Sequence, residues 1–313
     1  MERPSLRELG EGRSMVDLGF RETEGLVASY LLPQEDGVTV VETGPTTCLP
    51  RLSDAVRRAG FDTTEVRRVL VSHIHLDHAG GLGAAAGAFP NATLYAHEEG
   101  VRHLVDPTRL IASARRAWGP AADTVWGEIA AVPAARLVAL RGGEEFPLRG
   151  GELRVVATPG HARHHVAFLD SRLAGVLTGD ALGVRLEGAP WPRPAVPPPD
   201  LDLEALFASL DAIEALAPRV VLYTHFGPSH DAATDLREYR AEVRAWRNAA
   251  LDAARVDPSV AHVSAVLRAT EAERANRAGL AAVDDRPGEL VSGYEMAAQG
   301  LLRYFRTHDL LPE

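Results

Sequence analysis

Short apolar runs recur along the first part of the chain, and stretches of helical periodicity separate most of them. Each run is rich in β-branched and aliphatic residues and shorter than an ordinary helix, which is typical of buried strands. The predicted strands cover residues 25–32, 37–42, 66–71, 93–96, 151–157, 173–178 and 220–223. A turn at residues 33–37 joins the first two, so these two strands are predicted to pair antiparallel.

Helical patterns occupy the intervals between the strands. Leu52 and Val56 share one face of a helix that begins near Pro50 and ends at Gly60. Further helices are predicted at residues 79–87, at 98–126 with interruptions at Pro107 and Gly119, and after Asp200 or Asp202, where apolar residues recur at helical spacing. Strands that alternate with helices in this way favour a sandwich of sheets covered by helices.

The chain changes character after residue 230. Charged, alanine-rich helical patterns cover residues 238–254, 259–277 and 287–305, and no further strand is predicted there. We therefore predict two parts, a sheet-containing domain at 1–230 and a C-terminal helical extension at 231–313 that packs on it.

Four potential metal ligands follow the strand at residues 66–71. They are His73, His75, Asp77 and His78, and Gly80 with Gly81 lets the backbone leave the turn tightly. A strand end is a rigid support, so the loop beyond it can bring His73 and His75 to one ion while Asp77 and His78 reach a second. A chance run of histidines would rarely be this dense.

Three later motifs supply the partners. Thr158-Pro-Gly-His161, Thr178-Gly-Asp180 and Thr224-His225-Phe-Gly227 each follow an apolar run. Together with His73-Ile-His-Leu-Asp-His78, this ordered set resembles the metallo-β-lactamase superfamily, in particular its glyoxalase-II-like and lactonase-like branches, over roughly residues 15–230. The resemblance implies an α+β fold, the four-layer αββα sandwich.

The resemblance also implies a dinuclear metal site. His73, His75 and His161 would hold the first ion, and Asp77, His78 and His225 the second, with Asp180 bridging them. Zinc is the expected metal, and manganese and iron also accept such ligands. In such enzymes a hydroxide that bridges the ions is the nucleophile, and Asp77 is the expected catalytic residue that passes a proton to the leaving group.

Five further residues are candidates for supporting the ligands or contacting substrate: Glu42, His164, His165, Trp191 and Arg193. Where the resemblance predicts an aspartate that supports the ligands, this chain has Glu42, one methylene longer. His164 stands where many relatives have glycine, and His165 corresponds to a position near the metals that does not bind them. Trp191 and Arg193 lie in a stiff, proline-rich loop at residues 189–199.

The helical segment at residues 98–130 is longer than a simple crossover needs. It has two interpretations, one wall of a substrate pocket or an ordinary covering layer. Its candidate pocket residues are Arg102, Arg109, Arg115, Arg116, Trp118 and Trp126.

The composition of the chain argues against several classes of partner and chemistry. The net charge of −10 argues against nucleic acid as a partner, although it leaves room for a local basic groove, and no apolar run in the sequence is long enough to span a bilayer. A single cysteine, Cys48, excludes an internal disulfide, and the absence of lysine excludes a lysine nucleophile. We expect a cytoplasmic protein that acts on a small molecule, and a homo-oligomer is compatible with the sequence.

These observations predict a dinuclear hydrolase acting on a thioester, lactone or related ester. The main alternative within the same superfamily is an iron-dependent oxidoreductase that resembles persulfide dioxygenases. β-Lactam hydrolysis is disfavoured by the ligand set. The lactonase-like branch often has a tyrosine soon after the bridging aspartate, whereas Ala181 to Val184 contain none. A metal-binding module without catalysis would require a broken ligand, and all seven positions are filled.

Overall fold

Two mixed β-sheets form the centre of the protein over residues 5–280 and 286–311, which the computed structural model describes. The first sheet has the order β1-β2-β3-β4-β5-β6-β7, and its strands are β1 Leu6–Gly10, β2 Arg13–Asp17, β3 Ala28–Gln34, β4 Gly37–Val41, β5 Val66–Leu70, β6 Thr93–His97 and β7 Leu137–Leu140. The first four strands pair antiparallel, and β4 to β7 run parallel.

The second sheet has the order β13-β12-β11-β10-β9-β8. Its strands are β8 Glu145–Leu148, β9 Gly151–Ala157, β10 Val166–Asp170, β11 Gly175–Gly179, β12 Val220–Tyr223 and β13 Gly227–Ser229. Only the pairing of β11 with β12 is parallel within this described sheet.

Helices cover the outer faces of both sheets. They are α1 Leu49–Arg58, α2 Leu76–Ala79, α3 Leu82–Ala88, α4 Glu98–Val105, α5 Thr108–Trp118, α6 Ala122–Trp126, α7 Leu203–Ala215, α8 Ala232–Val256, α9 Val260–Arg277, α10 Arg286–Val291 and α11 Tyr294–Thr307. Among the described residues, none of these helices combines the length and apolar character that a membrane crossing requires.

Three apolar cores separate four layers. Tyr30 and Phe168 belong to the core between the sheets, Val69 belongs to the core under α1 and α3, and Val221 belongs to the core under α7, α8, α9 and α11. Successive side chains of a strand point to opposite faces, so one strand serves two cores. In β10, Val166 and Phe168 face the other sheet while Ala167 faces the helices. The predicted four-layer αββα sandwich is confirmed.

Several strands were not predicted. β1, β2, β7, β8, β10 and β13 are short, or they carry charged residues that mask their pattern. Arg13 shows why, because it lies in β2 with only 1% of its surface exposed and pairs with Asp170 of β10. A buried charge inside a strand breaks the apolar run on which a sequence-based prediction depends.

Two predicted boundaries were wrong for local reasons. The strand expected at residues 25–32 begins at Ala28, because Gly25 has a φ of +78° and its N–H donates to Asp17 in a turn. The helix expected at 287–305 is two helices, since the chain turns at Ser292, whose hydroxyl donates to the Pro194 carbonyl.

The C-terminal helices share a core with the second sheet. Trp246 of α8 and Phe305 of α11 are fully buried in the same cluster as Val221 and Tyr223 of β12. The helical extension therefore forms the outer layer of that sheet.

Candidate metal centre

Every predicted metal ligand follows the end of a strand, and all of these ends lie at one edge of the sandwich. The first sheet contributes the segment after β5, and the second contributes the segments after β9, β11 and β12. The parallel pairs β4/β5 and β11/β12 bring their carboxyl ends to the same edge. Two halves of the chain thus meet at one site.

The ligand turn after β5 closes as a single helical turn. His75 precedes α2 in extended conformation, and α2 carries Asp77 and His78. The His78 and Ala79 N–H groups donate to the His75 carbonyl at 3.1 and 2.8 Å. This tight turn places four donor side chains within six residues on one side of the backbone.

One group of donors consists of His73, His75 and His161. His75 Nδ1 lies 2.8 Å from His73 Nε2 and 2.9 Å from His161 Nε2. His161 donates from Nδ1 to the Ala195 carbonyl at 2.9 Å, so its Nε2 lone pair faces the group. Ser72 Oγ lies 2.9 Å from His73 Nδ1 and orients that ring in the same way.

The second group consists of Asp77, His78 and His225. His225 Nε2 lies 3.2 Å from His78 Nε2 and 3.4 Å from Asp77 Oδ2. His225 donates from Nδ1 to the Leu26 carbonyl at 2.7 Å, which leaves its Nε2 free to bind a metal.

Asp180 lies between the two groups. Its Oδ2 is 3.4 Å from His161 Nε2, and its Oδ1 is 3.3 Å from His78 Nε2. Oδ1 is buried and has no hydrogen bond among the described residues. A buried carboxylate oxygen without a hydrogen bond is costly unless a cation balances it. Nitrogen and carboxylate donors on both sides of one carboxylate fit two divalent metal ions.

Burial and mutual proximity affect the charges of these groups. Burial, and then the neighbouring His78 and His75, lower the pKa of His73 well below its usual value, so this ring is neutral and able to bind a metal. Burial would raise the pKa of Asp77, but His78 and His225 lower it to about 2. The carboxylate is therefore ionised at neutral pH.

Glu42 lies directly behind His78. It accepts from His78 Nδ1 at 3.1 Å and from the Ser72 N–H at 3.3 Å, and Thr224 Oγ1 also donates to it. Glu42 adopts a left-handed backbone conformation with a φ of +69°, which is uncommon for a residue with a Cβ.

The rings of His164 and His165 lie next to the first group. His165 accepts the Asp180 N–H at its Nε2, 3.0 Å away, and its Nδ1 lies 2.8 Å from Thr158 Oγ1. His164 is buried, with its ring centroid 6.2 Å from that of His73 and its Nε2 3.8 Å from Asp200 Oδ2. Burial lowers the pKa of His164 to about 4.

Trp191 and Arg193 contact the C-terminal helices. Arg193 pairs with Glu271 at 3.2 Å and donates to the Tyr294 hydroxyl at 2.9 Å. Arg274 lies over the Trp191 ring at 3.7 Å from its centroid. Neither residue is among the candidate metal-binding groups of the described chain.

Both residues line a cavity of about 780 Å³ between the N-terminal strands, the loop after β11 and α9. Its apolar wall includes Met15, Leu186 and Phe226, the residue that follows His225. A cavity of this size accommodates an organic molecule.

The segment at residues 98–130 forms a cover for the first sheet. Trp126 is buried and stacks on Phe20 with ring centroids 5.6 Å apart, and Trp118 packs against Trp126. The four arginines proposed for a pocket wall, Arg102, Arg109, Arg115 and Arg116, are exposed. The geometry therefore favours the covering role.

The chain has clear relatives. The sequence profile of the metallo-beta-lactamase superfamily matches residues 23–225. A metallo-beta-lactamase fold-containing protein of Sulfurisphaera tokodaii is 28% identical over 167 residues, which cover 51% of this chain and 60% of that protein. N-acyl homoserine lactonase AttM of Rhizobium johnstonii is 33% identical over 119 residues, which cover 37% of this chain and 40% of the lactonase. The chain thus spans less than two thirds of either relative.

Solved structures show the same fold over most of the chain. A metallo-beta-lactamase family protein of Thermus thermophilus has a TM-score of 0.66 at 24% identity and covers 90% of this chain and 89% of its own. A beta-lactamase domain protein of Burkholderia ambifaria has a TM-score of 0.67 at 21% identity, and the match covers 97% of this chain and 89% of that protein. With the profile matching most of the sequence, this chain belongs to the metallo-beta-lactamase superfamily.

Proposed function

We propose that this protein is a dinuclear metal-dependent hydrolase of small esters, thioesters or lactones. The observation that carries the proposal is the pair of three-residue donor groups with the Asp180 carboxylate between them. His73, His75 and His161 would hold one ion, and Asp77, His78 and His225 the other.

The donor chemistry favours zinc, with manganese or iron as other occupants. When bound, two such ions supply a water molecule acidified enough to attack at neutral pH, and positive charge that polarises a carbonyl.

The chain's own residues then determine how a substrate approaches. His75 and Asp77 are partly exposed, whereas the other five donor residues are buried. A substrate therefore reaches the centre from the side of α2. Asp77 lies at this open side, so its carboxylate is placed to pass a proton to the leaving group.

The substrate class is supported by two observations. The lactonase AttM, whose name gives its substrate as an N-acyl homoserine lactone, is 33% identical over its matched part. Phe226 and Gly25, which line the cavity, are the sequence neighbours of His225 and Leu26. The Leu26 carbonyl accepts the hydrogen bond from His225. None of the seven donor residues lines this cavity, so the cavity supports the substrate class only as a place for an apolar part of the substrate far from the reacting carbonyl.

The first test is the metal content of the purified protein by elemental mass spectrometry, followed by a panel of acyl thioesters, N-acyl lactones and aryl esters. We expect close to two zinc ions per chain and hydrolysis of at least one class. His75→Ala should lose metal and activity. His230→Ala is the control, because His230 is exposed and outside the donor groups.

An iron-dependent oxidoreductase is the competing function, because the same histidine and carboxylate donors bind iron. Iron in place of zinc, with oxygen consumption and no hydrolysis, would replace the hydrolase proposal with this one. A small-molecule substrate, a cytoplasmic location and the lack of a nucleic-acid or membrane partner remain predictions, and a homo-oligomer remains compatible with them.

A further inference from the structure

Helix α8 carries a polar stripe on the face that it buries. Asp235, Tyr239 and Glu242 follow one another at intervals of four and three residues, so they lie on one side of the helix. Their exposed fractions are 3%, 0% and 4%. Polar side chains buried in an apolar core normally have a specific partner, so their contacts indicate what the stripe does.

Asp235 contacts the segment that carries His225. Its Oδ2 accepts from the Tyr223 hydroxyl at 3.1 Å, and its Oδ1 lies 3.2 Å from Arg185 Nε. The Arg185 N–H donates to the carbonyl of His225, and the Phe226 N–H donates to the Arg185 carbonyl at 3.1 Å. Asp235 thus fixes the backbone on both sides of this ligand.

Tyr239 packs beneath the turn that carries Asp180. A Cβ added at Gly183 would lie 2.5 Å from Tyr239 Cε2, and the Gly183 N–H donates to the Asp180 carbonyl at 2.9 Å. The ring therefore supports this turn from below, and only glycine permits so close an approach.

The Tyr239 hydroxyl lies near the loop that carries Ala195. It is buried and makes no hydrogen bond of ordinary geometry within the described chain. Burial raises the pKa of Tyr239 well above its usual value, the nearby Ala195 N–H opposes that rise, and the Asp180 carboxylate adds to it. The carbonyl of Ala195 is the group that orients His161.

We propose that Asp235 and Tyr239 of α8 are positioning residues for the metal centre. They hold the backbone segments that carry Asp180 and His225, and Tyr239 also lies beside Ala195, whose carbonyl orients His161. Within the described chain, Glu242, the third residue of the stripe, pairs with Arg274 of α9. The inference rests on metal binding at the proposed site and does not depend on the reaction catalysed there.

The experiment compares metal binding by Asp235→Asn and Tyr239→Leu with binding by wild type. Replacing a group that hydrogen-bonds to a metal ligand typically changes the metal affinity 10- to 100-fold. We expect zinc affinity, measured by competition with a chromophoric chelator, to fall about 10-fold in each variant. The visible absorption band of the cobalt-loaded protein should also shift, because ligand geometry changes.

Two controls separate positioning from general destabilisation. Glu242→Gln alters a buried carboxylate on the same helix face, and Tyr304→Leu removes a buried tyrosine of α11 that donates to Glu204. Both should bind zinc as wild type does and keep the cobalt band. If Asp235→Asn does not fold, Tyr239→Phe carries the test, since it removes only one oxygen, and its affinity should fall between wild type and Tyr239→Leu.

Wild-type affinity and an unchanged cobalt band in the folded variants would overturn the inference, and so would equal losses in the two controls. A wild-type protein that binds two ions yet hydrolyses nothing in the substrate panel would refute the proposed function alone. Normal hydrolysis together with unchanged metal binding by the variants would refute only the positioning role.

Discussion

Glu42 supports the candidate ligand His78 from an unusual backbone conformation. Its left-handed conformation is unfavourable for a residue with a Cβ, and hydrogen bonds from His78, Ser72 and Thr224 compensate for it. The extra methylene relative to aspartate lets the carboxylate accept from a ligand ring and a backbone amide together. The structure thus places Glu42 where a supporting carboxylate was expected.

Glu42→Gln should weaken metal binding. The substitution keeps the shape of the side chain but removes the negative charge that makes His78 a better donor to a metal. We expect about 10-fold lower zinc affinity, measured by chelator competition. Glu8→Gln is the control, because Glu8 is exposed and far along the chain from the ligands. Unchanged affinity in Glu42→Gln would show that the carboxylate has no such role.

The candidate ligands could be found from the sequence because their chemistry is local. His73 to His78 form one dense motif, and histidine and aspartate have few other uses in that pattern. The groups that orient them could not be predicted, since backbone carbonyls such as those of Leu26 and Ala195 carry no residue-type signal. Asp235 and Tyr239 were missed because they occupy ordinary positions of a helix.

At the scale of elements, a buried ion pair connects the two sheets. Arg13 of β2 donates to Asp170 of β10 at 2.9 Å, with side-chain exposures of 1% and 0%. Arg13 also donates to the carbonyls of Glu11 and Arg149. The predicted strands contain no hint of this contact, because the partners are far apart in sequence.

Arg13→Ala should therefore destabilise the fold strongly. Removing one partner of a buried ion pair leaves the other charge uncompensated, which typically costs about 3–5 kcal/mol. Urea unfolding followed by circular dichroism measures the change. Arg172→Ala tests an exposed pair with Glu11, with exposures of 50% and 46%, and should change stability by less than about 0.5 kcal/mol.

The contact of α8 with α9 should make stability depend on pH. Burial raises the pKa of Glu242 to about 7, Arg274 opposes this shift, and Glu271 and Glu238 add to it. The folded protein then holds a proton that the unfolded chain releases near pH 4.5. Stability from this group is therefore greatest below about pH 4.5 and falls as pH rises towards 7.

Glu242→Gln should remove this part of the pH dependence. A shift of this size corresponds to at most about 3 kcal/mol, and roughly 2 kcal/mol of it is lost between pH 5 and pH 8. Urea midpoints at pH 5 and pH 8 for both proteins measure it. The decrease in stability between these pH values should be smaller in Glu242→Gln than in wild type, and equal decreases would contradict the assignment.

At the scale of the whole molecule, the division at residue 230 does not separate two cores. The sequence predicts the helical extension correctly, but it cannot show which surface the helices cover. Trp246, Phe305 and Tyr223 belong to one buried cluster. Removing the helices would expose the outer face of β10, β11 and β12 to water, at about 25 cal/mol for each Å² of apolar surface.

We therefore expect the full chain to unfold in one cooperative transition, with equal calorimetric and van 't Hoff enthalpies. A chain that ends at residue 230 should aggregate or stay unfolded. A soluble truncated protein with native circular dichroism would show that the two parts are independent. Two resolved transitions in the full chain would show the same.

The placement of the ligands on two sheets has a consequence for biosynthesis. Neither donor group is complete within one sheet, because the second sheet supplies His161 to the first group and His225 to the second. A growing chain on the ribosome therefore presents only two of the three donors of each group until its second sheet has been made and has docked on the first. In a protein that works as proposed, metal would therefore bind late, after the second sheet has docked, and a prematurely terminated chain would not bind two ions.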